Sequence, residues 1–199
     1  MDRKILLRDD RSFGLSEEDV LEAMRSFGAY LDITPEDFRA VYTSAFGIAR
    51  RRFLEGVTAA NIMSAPVLTM SSAMSLRDAV DFLDEHNISG APVEDGRRLV
   101  GVLSETDIAR AADGAFRPSP MHLLRSVLRE NFSPTCLNRT VAEVMTREVI
   151  TVRPDTSLAE MLAVVKARNI NRLPVLNPEG RLAGLVSRTD LLNTLGSLQ

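Results

Sequence analysis

Cysteine is nearly absent from this 199-residue chain: Cys136 stands alone, so no intrachain disulfide framework and no thiolate cluster for zinc or iron–sulfur chemistry can form. That usage fits a reducing compartment. Histidine is scarce as well, with His86 and His122 far apart and each expected on the surface. There is no G-x-S-x-G elbow, P-loop, G-x-G-x-x-G or H-E-x-x-H, and Cys136 lies in a polar loop with no histidine beside it, so the sequence offers no enzyme signature. No apolar run approaches the roughly 18 residues of a membrane helix, and the opening MDRKILLRDDRSFG has no signal-peptide core. A cytoplasmic protein is expected. A basic surplus is also lacking. The 24 Lys and Arg against 27 Asp and Glu leave a net charge of −3, which argues against general nucleic-acid binding.

What the chain does have is a repeat. Ser75 to Val93 (SLRDAVDFLDEHNISGAPV) recurs as Ser157 to Val175 (SLAEMLAVVKARNINRLPV). Upstream, Met63, Val67 and Thr69 match Met145, Val149 and Thr151. Downstream, GVLSETDI from Gly101 matches GLVSRTDL from Gly184, after a one-residue insertion between turn sequences at Glu94–Gly96 and Asn177–Gly180. A hairpin tolerates that insertion. Each copy reads strand, helix, strand, turn, strand, helix. The spacing predicts a strand over Val149–Val152 and then a helix burying Leu158, Met161, Leu162 and Val165, like Leu76, Ala79, Val80 and Leu83 in the first copy. Strands follow over Leu173–Leu176 and Leu182–Val186, with a last helix from near Ser187. About 55 residues of this kind do not bury both faces of a small sheet, whereas two copies packed together do.

These residues resemble a tandem pair of CBS (cystathionine β-synthase) domains, a Bateman module, over about residues 57–112 and 140–196. The opening Asn61-Ile62-Met63 and Glu143-Val144-Met145, the central segments from Asn87 and Asn169, and the closing Gly-hydrophobic-x-Ser-x-x-Asp carry the resemblance. Asn61 departs from the family's usual acidic residue, at a position concerned with helix capping. The resemblance implies a mixed α/β (α+β) fold of two β-α-β-β-α repeats in a pseudo-twofold pair. It also implies regulation by an adenosine-containing ligand (AMP, ADP, ATP or S-adenosylmethionine) in up to two clefts, no tightly bound cofactor, and a homodimeric disc of four repeats. The expected division is a helical extension at 1–56, repeats at 57–112 and 140–199, and a connector at 113–139.

The closing motif admits two readings. Asp107 and Asp190 at strand-to-helix junctions can accept both hydroxyls of a ribose, with Ser104 and Ser187 near a phosphate at the first free amides of a helix. Ser-x-x-Asp is equally a helix cap. Ile88, Ser89, Gly90, Ala91 and Pro92, with Ile170, Asn171, Arg172, Leu173 and Pro174, are candidates for an apolar adenine slot with free backbone groups, or for plain core. Thr69 and Thr151 line the same clefts or merely favour strand. The second copy carries Arg168, Arg172 and Arg188 where the first has His86, Gly90 and Glu105. Either these arginines favour a phosphorylated ligand in the cleft of Ser187 and Asp190, or they are solvated surface charges.

Residues 1–56 read as two helices. Ser16 with Asp19 caps the first, and Thr34, Pro35 and Asp37 start the second, which carries Phe38, Val41, Tyr42, Ala45 and Phe46 at helical spacing and ends at Gly56. Its aromatic face requires a partner surface, in its own chain or a second subunit. Arg50–Arg52 suits the helix dipole better than nucleic acid. A further helix with Met121, Leu124, Leu128 and Phe132 is expected in the connector. The overall reading is a nucleotide sensor signalling to an unidentified protein target, or else a ligand-free dimerisation module.

Overall fold

The computed structural model describes residues 17–26, 33–111 and 137–196. The chain divides into two units, Met1–Leu54 and Glu55–Gln199. The expected connector helix, Ser16, His122 and Cys136 lie outside the described residues.

The first unit supplies helix α1 (Glu17–Ser26) and most of helix α2 (Pro35–Gly56). As expected, α2 opens on a cap: the Asp37 amide donates to Thr34 Oγ1 at 3.1 Å, and the Thr34 hydroxyl donates to the Asp37 carboxylate at 2.7 Å.

The second unit holds both copies. The first runs α3 (Ala59–Ile62), β1 (Met70–Ser71), α4 (Leu76–Glu85), β2 (Gly90–Asp95), β3 (Arg98–Ser104) and α5 (Glu105–Ala111). The second runs α6 (Val141–Val144), α7 (Leu158–Arg168), β4 (Arg172–Leu176), β5 (Leu182–Ser187) and α8 (Arg188–Gly196). β2 and β3 are antiparallel, with β1 parallel to β2; β4 and β5 repeat the hairpin. The strand expected over Val149–Val152 shrinks to a single parallel bridge between Val152 and Val175. Four β-branched or apolar residues favour extension, but Pro154 and Asp155 end it before a ladder can grow.

The recurring residues have local causes. Ser75 and Ser157 cap α4 and α7, accepting from the amides of Asp78 and Glu160. Asn87 and Asn169 take left-handed backbone after those helices, with φ of 51° and 49°, a conformation asparagine tolerates better than most residues. Asn61 does by its amide oxygen what Glu143 does by its carboxylate: each accepts from the amide of the threonine three residues earlier, Thr58 at 2.8 Å and Thr140 at 3.1 Å. The first hairpin turns on Gly96 and Arg97, with φ of 54° and 70°, one residue beyond the Asp-Gly pair. Two positive φ values match the twist of the flanking strands.

The copies exchange their opening segments. Ser64 and Leu185 trade both backbone hydrogen bonds, at 2.9 and 3.1 Å, and Thr146 and Val102 do the same, at 3.0 Å each. Val141 and Met145 accordingly belong to the first copy's core, with Leu76, Leu83, Val93, Leu103 and Ile108. The exchange also explains the two closing glycines. A Cβ at Gly184 would lie 2.7 Å from Met63 Cγ, and one at Gly101 would lie 2.9 Å from Met145 Cγ and 3.0 Å from the Thr146 carbonyl oxygen.

We expect Gly184→Ala to destabilise the protein by about 1–3 kcal/mol through overpacking. In a double-mutant cycle on urea unfolding, its cost should shrink when Met63→Ala is also present. Additive costs would mean that the two residues do not share this contact.

Candidate functional site

The exchange brings residues of both copies around one cleft of about 220 Å3. Ser104 and Asp107 come from the β3–α5 junction, Arg110 from α5, Thr146, Glu148, Val149 and Ile150 from the second copy's opening segment, and Asn169 to Arg172 from the entry to β4.

Asp107 is the single buried charged side chain among the described residues, 7% exposed. Its Oδ2 accepts from the Ser104 amide at 2.9 Å and hydroxyl at 2.5 Å, and its Oδ1 from the Thr146 hydroxyl at 2.9 Å. Arg110 stands 3.6 Å from that same Oδ1. The carboxylate thus caps α5 and ties it to the second copy. Asp190 repeats the capping half only. Its Oδ2 accepts from the Ser187 amide at 2.7 Å and hydroxyl at 2.6 Å, while the Asp190 amide donates to Ser187 Oγ at 3.2 Å. Among the described residues, nothing donates to Asp190 Oδ1. The capping geometry is therefore present in both copies, and it leaves the second carboxylate one oxygen that meets no donor among the described residues.

Arg172 is placed differently from the sequence reading, which grouped it with Ser187 and Asp190. It lines the cleft of Ser104 and Asp107 and hydrogen-bonds Ser89 of the first copy. The reason is the space at Gly90: a Cβ there would lie 2.9 Å from the guanidinium carbon of Arg172. Burial lowers the Arg172 pKa below the usual arginine range, while Glu105 and Asp107 hold it up. Burial likewise raises the Glu105 carboxyl, partly offset by Arg172. Arg188, assigned by charge to the other cleft, is exposed and donates to the Ile170 carbonyl at 3.3 Å and to Asn169 Oδ1 at 3.5 Å. Arg168 is exposed on α7.

The remaining candidates sort by burial. Gly90, Ala91, Pro92, Leu173 and Pro174 are buried in β2 and β4, whereas Ile88 and Thr69 are half-buried and Ser89 and Asn171 exposed. Ile170, Asn171 and Arg172 line the first cleft. Thr151 lines a separate cavity of about 340 Å3, with Arg98, Val100 and Arg147, so it does not share the first cleft as expected. Its neighbour Val149 borders both. Sequence reasoning missed Thr146, Glu148, Ile150 and Arg110. Thr146 directly follows the repeated methionine, but nothing in its spacing says that it meets Asp107.

The CBS domain model matches residues 59–114 and 141–197, and the chain belongs to that family, with two copies forming a tandem pair. It is 34% identical to the uncharacterized protein MJ1426 of Methanocaldococcus jannaschii over 68% of this chain and 89% of that one. With MJ1232 of the same organism it is 30% identical over 65% of this chain but spans 36% of the relative's length. Among solved structures, the CBS domain pair of protein MJ0100, in complex with 5-methylthioadenosine and S-adenosyl-L-methionine, superposes with a TM-score of 0.56 at 27% identity, over 72% of this chain and 98% of that one. CBSX2 in complex with AMP superposes at 0.57 and 23% identity, over 72% and 98%, and shows the shared fold. No described helix is long and apolar enough to cross a membrane.

Glu105 gives a pH signature. A carboxyl whose folded pKa is raised makes the folded state less stable once it ionises, so its cost is absent below the ordinary value of 4.5 and grows as pH rises through the elevated one. Glu105→Gln should therefore leave the melting temperature unchanged near pH 4 and raise it at pH 7. A gain of equal size at both pH values would trace to packing instead.

Proposed function

We propose that the chain is a regulatory protein that binds an adenosine-containing ligand between its two CBS repeats and passes the change in repeat packing to a protein target. The observation that carries this reading is the cleft itself, in which a cap carboxylate from one copy, a guanidinium from the other and residues 148–150 and 169–171 converge. A ribose needs two acceptors, a phosphate needs a cation, and an adenine edge needs backbone donors and acceptors; this cleft offers all three kinds. The adenosine ligands carried by MJ0100 and CBSX2 support the same class. Arg110 and Arg172 favour a phosphorylated ligand, AMP, ADP or ATP, in the first cleft. We assign the second site to Ser187 and Asp190, whose Oδ1 receives no donor among the described residues. It suits a ribose whose attached group is neutral or cationic, as in S-adenosylmethionine. This reverses the assignment that charge along the sequence suggested, because Arg172 reaches across the pair.

In this reading the chain performs no catalysis, acts in the cytoplasm, and pairs with a second copy through its repeats. The alternative of a ligand-free dimerisation module predicts no adenosine binding at all.

A thermal-shift screen followed by calorimetry tests the proposal. Ligand at 100 times its dissociation constant stabilises a fold by about 2.7 kcal/mol. Arg172→Ala should weaken AMP by about tenfold or more while sparing S-adenosylmethionine, and Asp190→Ala should do the opposite, each change removing a charge-assisted contact of roughly 1.5–3 kcal/mol. No response to any of the four ligands would favour the ligand-free module.

A further inference from the structure

The buried carboxylate of Asp107 has an acceptor capacity that can be counted. A carboxylate offers about four lone-pair sites, two on each oxygen. Oδ2 accepts from the Ser104 amide at 2.9 Å and from the Ser104 hydroxyl at 2.5 Å, so both of its sites serve the cap of α5. Oδ1 accepts from the Thr146 hydroxyl at 2.9 Å, while Arg110, 3.6 Å away, stands outside hydrogen-bond reach. Among the described residues this leaves one site on Oδ1, in the cleft that Ser104, Asp107, Arg110 and Thr146 line together.

The neighbouring hydroxyls of a ribose donate two hydrogen bonds, and one remaining site does not accept both. Displacing Ser104 would undo a helix cap made by amide and hydroxyl together. Thr146 is the weaker hold. It contributes a single neutral donor from an exposed residue, and its backbone is fixed independently: Thr146 and Val102 trade amide and carbonyl at 3.0 Å in each direction. Turning its one side-chain torsion to another staggered position withdraws the hydroxyl from Oδ1 and leaves the chain in place. Asp190 has no such competitor among the described residues, since its Oδ2 holds the Ser187 cap and its Oδ1 receives no donor.

We propose that the Thr146 hydroxyl is a displaceable stand-in for a ribose hydroxyl: it holds Asp107 before ligand binds, and a ligand with a free cis-diol turns it away on entering the first cleft. The proposal rests on the adenosine reading of that cleft. Displacement costs one hydrogen bond to a ligand that donates twice to Asp107 and nothing to a ligand that donates once. Thr146 therefore determines how far the first cleft distinguishes a ribose from a deoxyribose.

Calorimetry of the full-length chain with AMP and 2′-deoxy-AMP tests it, read on the binding event that Arg172→Ala weakens. Thr146→Val keeps the side-chain shape and removes the donor. It should tighten AMP by about fivefold, the usual worth of one hydrogen bond, and leave 2′-deoxy-AMP within about twofold of wild type, because the remaining site on Oδ1 serves its single hydroxyl. Without ligand this variant should melt below wild type, and saturating AMP should narrow the gap. Thr146→Ser restores the hydroxyl and should return AMP affinity to the wild-type value. A merely structural role would lower the melting temperature without tightening either nucleotide. Weaker or unchanged AMP binding by Thr146→Val, or equal gains with both nucleotides, would overturn the proposal and leave the adenosine reading standing. No AMP binding by wild type or either variant would overturn both.

Discussion

Everything in the repeat unit depends on the exchange of opening segments between the two copies. α3 leads the first copy but docks on the second: the Ala59 and Ala60 amides donate to the carbonyls of Thr156 and Pro154. α6 returns the arrangement, with Val141 and Ala142 donating to Met74 and Ser72. Each exchange removes unpaired backbone groups from one copy with groups supplied by the other, and a buried amide left unpaired costs on the order of 1–3 kcal/mol. Neither copy can complete its core alone, since Val141 and Met145 fill the first copy's interior. The pair is the folding unit, in the way repeat proteins need neighbours to bury a shared core.

The clefts follow from that exchange. Because Thr146 is stitched to Val102 at the edge of β3, the chain from Thr146 to Ile150 is laid against the β3–α5 junction where Asp107 sits. A site made from two copies of one sequence need not be symmetric. Thr146 engages Asp107 by its hydroxyl, while its counterpart Ser64 pairs with Leu185 through its backbone. Among the described residues that difference leaves the two carboxylates differently engaged: Asp107 through both oxygens, Asp190 through one.

Much of this was legible in the sequence where the cause is local. Ser75, Ser157, Asn87 and Asn169 recur because helix caps and left-handed helix ends prefer those residues, and such preferences act over four or five positions. The buried faces of α4 and α7 were legible for the same reason: Leu76, Ala79 and Leu83 are buried, as are Leu158, Met161 and Val165. What stayed hidden is long-range. That Met63 covers Gly184, or that Thr146 meets Asp107, depends on which copy's edge receives which segment, and no spacing within a copy encodes that. The strand expected at Val149–Val152 failed for a related reason, because its residues serve the cleft and one bridge rather than a ladder.

Arg172 shows how a charge argument fails when it is read along the chain. Aligning the copies puts Arg172 opposite Gly90, and the comparison alone suggests one basic and one bare cleft. In space the two positions are neighbours: the missing side chain at Gly90 is the room into which the Arg172 guanidinium enters, held by Ser89 and facing Glu105 and Asp107. A duplicated glycine and a duplicated arginine at these positions would each be unfavourable. Two arginines would set like charges together around one small space, and two glycines would leave Glu105 and Asp107 without that cation. The divergence between the copies is therefore complementary. It places the Arg172 guanidinium beside Glu105 and Asp107, so the carboxylates of Asp107 and Asp190 stand in chemically different surroundings.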